Sequence, residues 1–176
     1  MCSSDLKITM DPRSPATPES LQQQLQLGQQ IFAAAQEAGR ALAEINSVQK
    51  ELGEVEQKLG EKNPALKSAL ADAQSELSKI LLNKELTQER PGVGLQSGSS
   101  ELASALRVVE SGDRAVPSQA ISVYKESSQY VKEGIAEWSN FKQTKLAQIN
   151  QKLREESLPP IAISEIENEV QFLMSR

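Results

Sequence analysis

The sequence contains no histidine, a single cysteine (Cys2) and few aromatic residues, 3% of its 176 residues. Without histidine there is no His-based metal site, no imidazole general base and no Ser-His-Asp triad. One cysteine allows neither an intramolecular disulfide nor a thiolate zinc cluster. Basic residues are outnumbered, 19 Lys and Arg against 24 Asp and Glu, for a formal net charge of -5. That balance opposes nucleic-acid binding, which rests on a basic face. No apolar run approaches the ~20 residues that cross a bilayer. Glycine and proline are sparse, 9 and 8 residues. What remains is abundant in Ala, Leu, Glu and Lys together with 18 glutamines, a composition suited to helix. The length suits one domain with its own core.

The first residues read separately from the rest. Met1–Leu6 (MCSSDL) has no charged n-region and no apolar h-region, so it does not read as a signal peptide. Its Cys-Ser-Ser-Asp-Leu matches the translation of tgc-tct-tcc-gat-ct, the end of a sequencing adapter, and residues 1–6 are therefore expected to be non-native. Leu6, Ile8 and Met10 alternate with Lys7 and Thr9 before the turn signal Asp11-Pro12, a β-strand pattern. A lone strand leaves its backbone groups unpaired, so residues 7–16 are expected to be the last strand of a missing β-domain and its linker. Pro12, Pro15 and Pro18 stiffen that linker.

Residues 17–161 carry helical periodicity. Thr17-Pro18-Glu19 supplies a capping hydroxyl, a proline at the first helical position and an acid in the first turn. Leu21, Leu25, Gly28, Phe32, Ala35, Ala38, Leu42, Ile45, Val48, Leu52, Val55 and Leu59 then recur in threes and fours, the spacing of a bundle seam. Ala33, Ala34, Ala35, Ala38 and Gly39 form a patch small enough to admit a neighbouring backbone. Gly60 stops this helix. Asn63-Pro64 opens a second helix with the stripe Leu66, Leu70, Ala73, Leu77 and Ile80. Residues 85–98 read as loop, and a short helix from about Ser99 to Ser111 shows Leu102, Leu106 and Val109.

Pro117 opens another long helix, with Ile121, Tyr124, Ser128, Val131, Ile135, Trp138 and Phe141 on its stripe. The stripe resumes at Leu146, Ile149 and Leu153 and ends at Leu158-Pro159-Pro160. Residues 162–176 form a tail with a short helix, signalled by Ser164-x-x-Glu167 and faced by Ile166, Val170 and Leu173. The two long helices are each ~60 Å, and the two shorter ones laid end to end match them. The expected fold is all-α, an elongated up-down-up three-helix bundle with a broken middle leg. A dimeric coiled coil of the long helices alone would leave the apolar faces of the short ones uncovered.

Candidate chemistry is thin. Glu54 and Glu56, or Glu155 and Glu156, are too close in sequence to converge on one helical face. Glu165, Glu167 and Glu169 lack a ligand-bearing turn, and solvated acids are the simpler use. Ser97-Gly98-Ser99-Ser100 precedes a helix, where an anion could sit on the N-terminus, but no lysine completes a phosphate cradle and a plain loop is favoured. Tyr124, Trp138 and Phe141 fit the buried stripe, whereas Tyr130 lies off it and could mark a surface contact. Gln22, Gln23, Gln24, Gln26, Gln29 and Gln30 make a polar face of low charge, solvated or turned toward a missing domain. No residue is assigned a catalytic, cofactor-binding or metal-ligating role, and no cofactor is expected.

A family resemblance is carried by Leu102-Ala103-Ser104-Ala105-Leu106-Arg107-Val108-Val109-Glu110-Ser111-Gly112-Asp113, Val116-Pro117, Val123-Tyr124, Trp138, Asn150, Leu153-Arg154 and Leu158-Pro159-Pro160-Ile161. Lys7-Ile8-Thr9-Met10-Asp11-Pro12-Arg13 and Thr17-Pro18-Glu19-Ser20-Leu21-Gln22 add to it. Together these residues resemble the C-terminal helical region of bacterial β-propeller proteins of the VPS10/sortilin-like, BNR-repeat "glycosyl hydrolase" type. The resemblance covers roughly residues 7–161; the tail from Ser164 is outside it. It implies a propeller and a small β-domain upstream, an exported (periplasmic or extracellular) parent, and no active-site residue here. The expected function is thus a non-catalytic structural or interaction helical module whose partners are the β-domains of its parent or another protein. The competing expectation is a free-standing coiled-coil adaptor or oligomerisation protein.

Overall fold

The computed structural model describes residues 13–59, 63–82 and 94–163, and among them the regular structure is helical throughout, with no strand. The expected remnant strand before Asp11 and the tail helix after Ser164 lie outside the described residues. Helix α1 runs Pro18–Leu59, α2 Pro64–Leu82 and α3 Leu95–Val109. Helix α4 runs Ser118–Phe141 and continues through a π-helical stretch, Lys142–Leu146, into α5, Ala147–Glu155.

The starts of α1 and α2 are built as the sequence predicts. At α1 the Ser20 backbone N–H donates to Thr17 Oγ1 at 3.2 Å, and the Thr17 N–H donates to Ser20 Oγ at 2.9 Å. This is a reciprocal capping box in which serine replaces the usual acid. At α2 the Leu66 N–H donates to Asn63 Oδ1 at 3.0 Å. The same asparagine donates through Nδ2 to Glu156 Oε1 at 2.8 Å, tying the start of α2 to the end of α5. Helix α5 ends in a left-handed residue, Ser157 (φ 58°). The Leu158 N–H reaches back to the Leu153 carbonyl at 2.8 Å and the Ser157 N–H to that of Arg154 at 3.0 Å, a Schellman closure. The chain then turns through Pro159-Pro160 and is held by Asn150, whose side-chain amide both donates to the Ile161 carbonyl (3.0 Å) and accepts from the Ile161 N–H (2.8 Å).

One apolar cluster joins every helix. It contains the whole predicted stripe of α2, with Leu70, Ala73 and Leu77 fully buried. Leu102, Val131, Trp138, Phe141, Leu146, Ile149 and Leu153 belong to it as expected. Between Phe141 and Leu146 the predicted stripe takes a step of five. The structure absorbs this in the π-helical stretch, whose one added residue restores the register so that Leu146 points inward. The long predicted helix from Pro117 is therefore two α-helices joined by a π-bulge.

Three expectations are corrected. First, the seam of α1 is displaced near its start. Ile31, not Phe32, is fully buried, while Leu25 is 61% and Phe32 38% exposed. From Ala38 onward the predicted seam is largely correct, with Ile45, Val48 and Leu52 fully buried. Second, residues 95–98 are helix rather than loop: α3 starts at Leu95, which is fully buried, and the Gly98 N–H bonds to the Gly94 carbonyl at 3.0 Å. A buried leucine gains enough from the core to extend the helix through a glycine-containing turn. Third, the small-residue patch is used on one side only: Ala38 is fully buried and Ala34 and Ala35 pack against the core, while Gly39 stands clear. A Cβ built there would meet nothing within 4 Å, and Ala33 is exposed.

The close approach occurs instead between α3 and α4. A Cβ on Gly98 would lie 3.1 Å from Val131 Cγ2 and 3.3 Å from the Ser127 carbonyl oxygen. One on Gly134 would lie 3.0 Å from Leu95 Cβ. Two glycines thus let these helices approach more closely than side chains would allow, and the Ser127 hydroxyl donates to Glu101 Oε2 at 2.6 Å beside them. Alanine at each of the three glycines gains the same helix propensity, about 1 kcal/mol. Gly39→Ala is therefore expected to raise the melting temperature, and Gly98→Ala and Gly134→Ala to lower it, in thermal unfolding followed by circular dichroism. Equal gains at all three positions would show that the α3–α4 contact is looser than described.

Candidate functional site

Among the described residues, those singled out in the sequence do not assemble into one reactive site. Glu54 is exposed and Glu56 half-buried on α1. Glu155 and Glu156 are exposed, one accepting from Gln151 at 3.3 Å and the other from Asn63. Ser97-Gly98-Ser99-Ser100 sits inside the first turns of α3, with Gly98 buried against α4, so it is neither a loop nor an anion cradle. Glu165, Glu167 and Glu169 lie outside the described residues. Among the described residues there is no group of three or more acidic, cysteine or histidine side chains placed to hold a metal ion. No helix among them is long and apolar enough to cross a membrane.

Of the aromatic residues, Trp138 and Phe141 are buried and stack with ring centroids 5.7 Å apart at 22°. Tyr124 is half-buried against the core. Tyr130 is half-buried too, its Cβ beside Gly98, so it belongs to the α3–α4 contact rather than standing clear on the surface.

The strongest polar arrangement centres on Glu44, which the sequence reading did not single out. Trp138 Nε1 donates to Glu44 Oε2 at 2.7 Å, and Lys142 Nζ reaches the same oxygen at 2.8 Å. Lys142 Nζ also lies 5.2 Å from the centroid of the Trp138 ring, a cation–π contact. One carboxylate thus satisfies the only polar atom of a buried indole and anchors the ammonium that covers its face. The indole would otherwise leave an unpaired donor in the core. The spacing of Trp138 and Lys142, one helical turn apart, was visible in sequence; the glutamate 94 residues away from the tryptophan was not. Partial burial raises the Glu44 pKa. Hydrogen bonds from Lys142 and Trp138 and the Lys142 charge outweigh that and hold it below its ordinary value. Its chemistry is structural: the pair is partly exposed, and no nucleophile or second acid faces it in these contacts.

An open groove lies near the start of α1. Leu21, Gln24, Leu25, Gly28, Gln29 and Phe32 form one wall, and Val109, Glu110 and Asp113 the other, around about 450 Å³. Its floor is at Gly28, where a Cβ would touch Val109 Cγ1 at 3.9 Å. The glutamine face expected on α1 divides here. Gln24 turns inward and donates through Nε2 to the carbonyls of Val109 and, at 2.9 Å, of Gly112, satisfying the end of α3. Gln22, Gln23, Gln26, Gln29 and Gln30 remain exposed. The displaced seam explains the groove: with Ile31 taking the inner position, Leu25 and Phe32 fall on its outer wall. No family model, curated protein or solved structure matches the chain.

Removing the shared carboxylate tests the Glu44 cluster. Glu44→Ala strands the Trp138 N–H and is expected to cost about 1–3 kcal/mol in urea unfolding. Because the folded pKa is lowered, the stability that ionised Glu44 contributes is complete above its unfolded value of about 4.3 and is lost as pH falls through the folded value. Glu44→Gln should therefore show a shallower loss of stability on acidification than the parent. Identical slopes would exclude Glu44 as a contributor.

Proposed function

We propose that this chain is a non-catalytic structural or interaction helical module, an up-down-up three-helix bundle in which α2 and α3 together make the middle leg. In this arrangement α1 and the α4–α5 rod are the outer legs. Gln24 of α1 meeting Val109 of α3, Lys145 near Glu76 of α2 at 3.9 Å, and Asn63 of α2 meeting Glu156 after α5 are the contacts that favour it. The observation that carries the functional reading is the destination of the chain's polar groups. The hydrogen-bonding side chains of Gln24, Glu44, Asn63, Ser127 and Asn150 all serve helix ends or helix–helix contacts.

The resemblance of residues 7–161 to the C-terminal region of exported, sortilin-like BNR-repeat propeller proteins gives this module its proposed context. It would pack against the β-domains of such a parent or against another protein. No reaction is assigned to it, since among the described residues the acids form no group of three or more. The second reading, a free-standing coiled-coil adaptor, draws on the exposed Leu25 and Phe32 of α1.

Sedimentation equilibrium separates the two. The module is expected to remain a monomer across the micromolar range, because its stripes are covered within one chain. A reversible dimer whose population rises with concentration would favour the adaptor, and hydrolysis of a glycoside by the isolated chain would contradict both.

A further inference from the structure

Along the groove at the start of α1 the surface departs from the rest of the chain. Residues 20–36 contain no ionisable side chain, in a protein that is 24% charged. Leu25 and Phe32, one heptad apart, are 61% and 38% exposed on its wall. We propose that this groove docks an amphipathic helix of another protein, one with apolar residues along one face and Lys or Arg beside them. The proposal rests on the reading of the chain as an interaction module and names the face that such a module uses.

Three observations define the occupant. The first is the missing charge. The buried centre of a protein interface is depleted in charged residues, because each would have to be desolvated, whereas a solvated helix face carries them freely. Here the exposed polar positions of α1 are filled by Gln22, Gln26 and Gln29, which hydrate the face without that cost. The second is shape. Leu21, Leu25, Gly28 and Phe32 follow in steps of four, three and four, the ridge against which another helix packs its side chains. The wall is ~17 Å long at 1.5 Å per residue, about three turns of a partner helix. An extended segment would be poorly served here. Among the described residues there is no strand to pair with it, and Gln24 already takes the carbonyls of Val109 and Gly112 on the far side. A helix satisfies its own backbone groups and needs neither.

The third is the sign of the rim. Glu110 and Asp113 are exposed on the far wall, and no basic residue is among the described residues that line the groove. Arg107 and Arg114, the arginines flanking these acids in sequence, donate to Ser104 and Ser111 at 3.2 and 2.8 Å. A partner helix with Lys or Arg beside its apolar face therefore meets opposite charge at the edge and none at the centre. A second copy of this chain fits less well. A two-fold contact sets the patch against itself, and its only ionisable lining residues among those described are the two acids, with no base to face them.

Fluorescence anisotropy with the full chain tests this. The probe is a labelled two-heptad peptide with Leu at each a and d position and Lys at each e and g position. Its counterpart carries Glu in place of every Lys. Like charges at e and g keep each peptide from pairing with itself. One variant combines Leu25→Gln with Phe32→Gln, and the other combines Glu110→Lys with Asp113→Lys. All four side chains are exposed, and circular dichroism verifies that both variants are folded. The lysine peptide is expected to bind the parent at least tenfold tighter than the Leu25→Gln, Phe32→Gln variant, and the charge-reversed variant is expected to prefer the glutamate peptide. Equal affinity for the parent and both variants would overturn the groove and leave the module reading standing, because the peptide would then sit elsewhere on the bundle. Absence of binding by the lysine peptide would overturn the proposal as well. So would self-association of the parent that the Leu25→Gln, Phe32→Gln variant loses, which would make a second copy the occupant and contradict the monomeric module too.

Discussion

The fold depends on how closely α3 can approach α4. Helix α3 is only 15 residues long, too short to be stable in isolation. It is retained because Gly98 and Gly134 remove the side chains that would hold it away, leaving Leu95 fully buried against Gly134 and Val131 against Gly98. From that position it reaches α1 as well. Val109 packs at Gly28, and Gln24 caps the last carbonyl of α3 and that of Gly112 just beyond it. A short helix thus links two long ones, and the link is made by absent side chains on one side and by an amide on the other.

The arrangement of the polar groups follows from the same economy. Burying a tryptophan fills the space between α1 and α4 but brings an indole N–H with it, and Glu44 is the acceptor that makes the burial tolerable. Lys142 then neutralises the acid and covers the ring. At the other end, Asn150 and Glu51 occupy the backbone of Ile161 and Ala162, so the chain past Pro160 is held on the bundle and Ile161 is buried. The groove is the exception. There α1 turns Ile31 inward and leaves Leu25 and Phe32 outside, so apolar surface remains where polar groups would have been stable.

Much of this was legible in the residues. The caps at Thr17 and Asn63, the stripe Leu66 to Ile80 and the step of five before Leu146 each state a local rule that the structure obeys. What could not be read was which of two adjacent apolar residues faces inward. Ile31 and Phe32 fit the seam about equally well by spacing, and it is isoleucine that takes the inner place. The start of α3 was hidden for a related reason. Gln96 to Ser100 have the local composition of a loop, and the burial of Leu95 against a glycine 39 positions away overrides it. The Glu44 acceptor was invisible because nothing near it in sequence announces a distant indole. Among the described residues, the neighbouring acids of the sequence differ in exposure on α1, and Glu156 serves a helix end.

The central claim is that α3 welds the helices into one cooperative unit. Trp138 is the sole tryptophan and sits in the core of α4, so its fluorescence reports tertiary packing while far-ultraviolet circular dichroism reports the helices throughout. Thermal unfolding monitored by both signals on the same sample is predicted to give a single, coincident midpoint. A fluorescence transition well below the loss of helicity would contradict it, because the long helices would then persist without the packing that α3 provides.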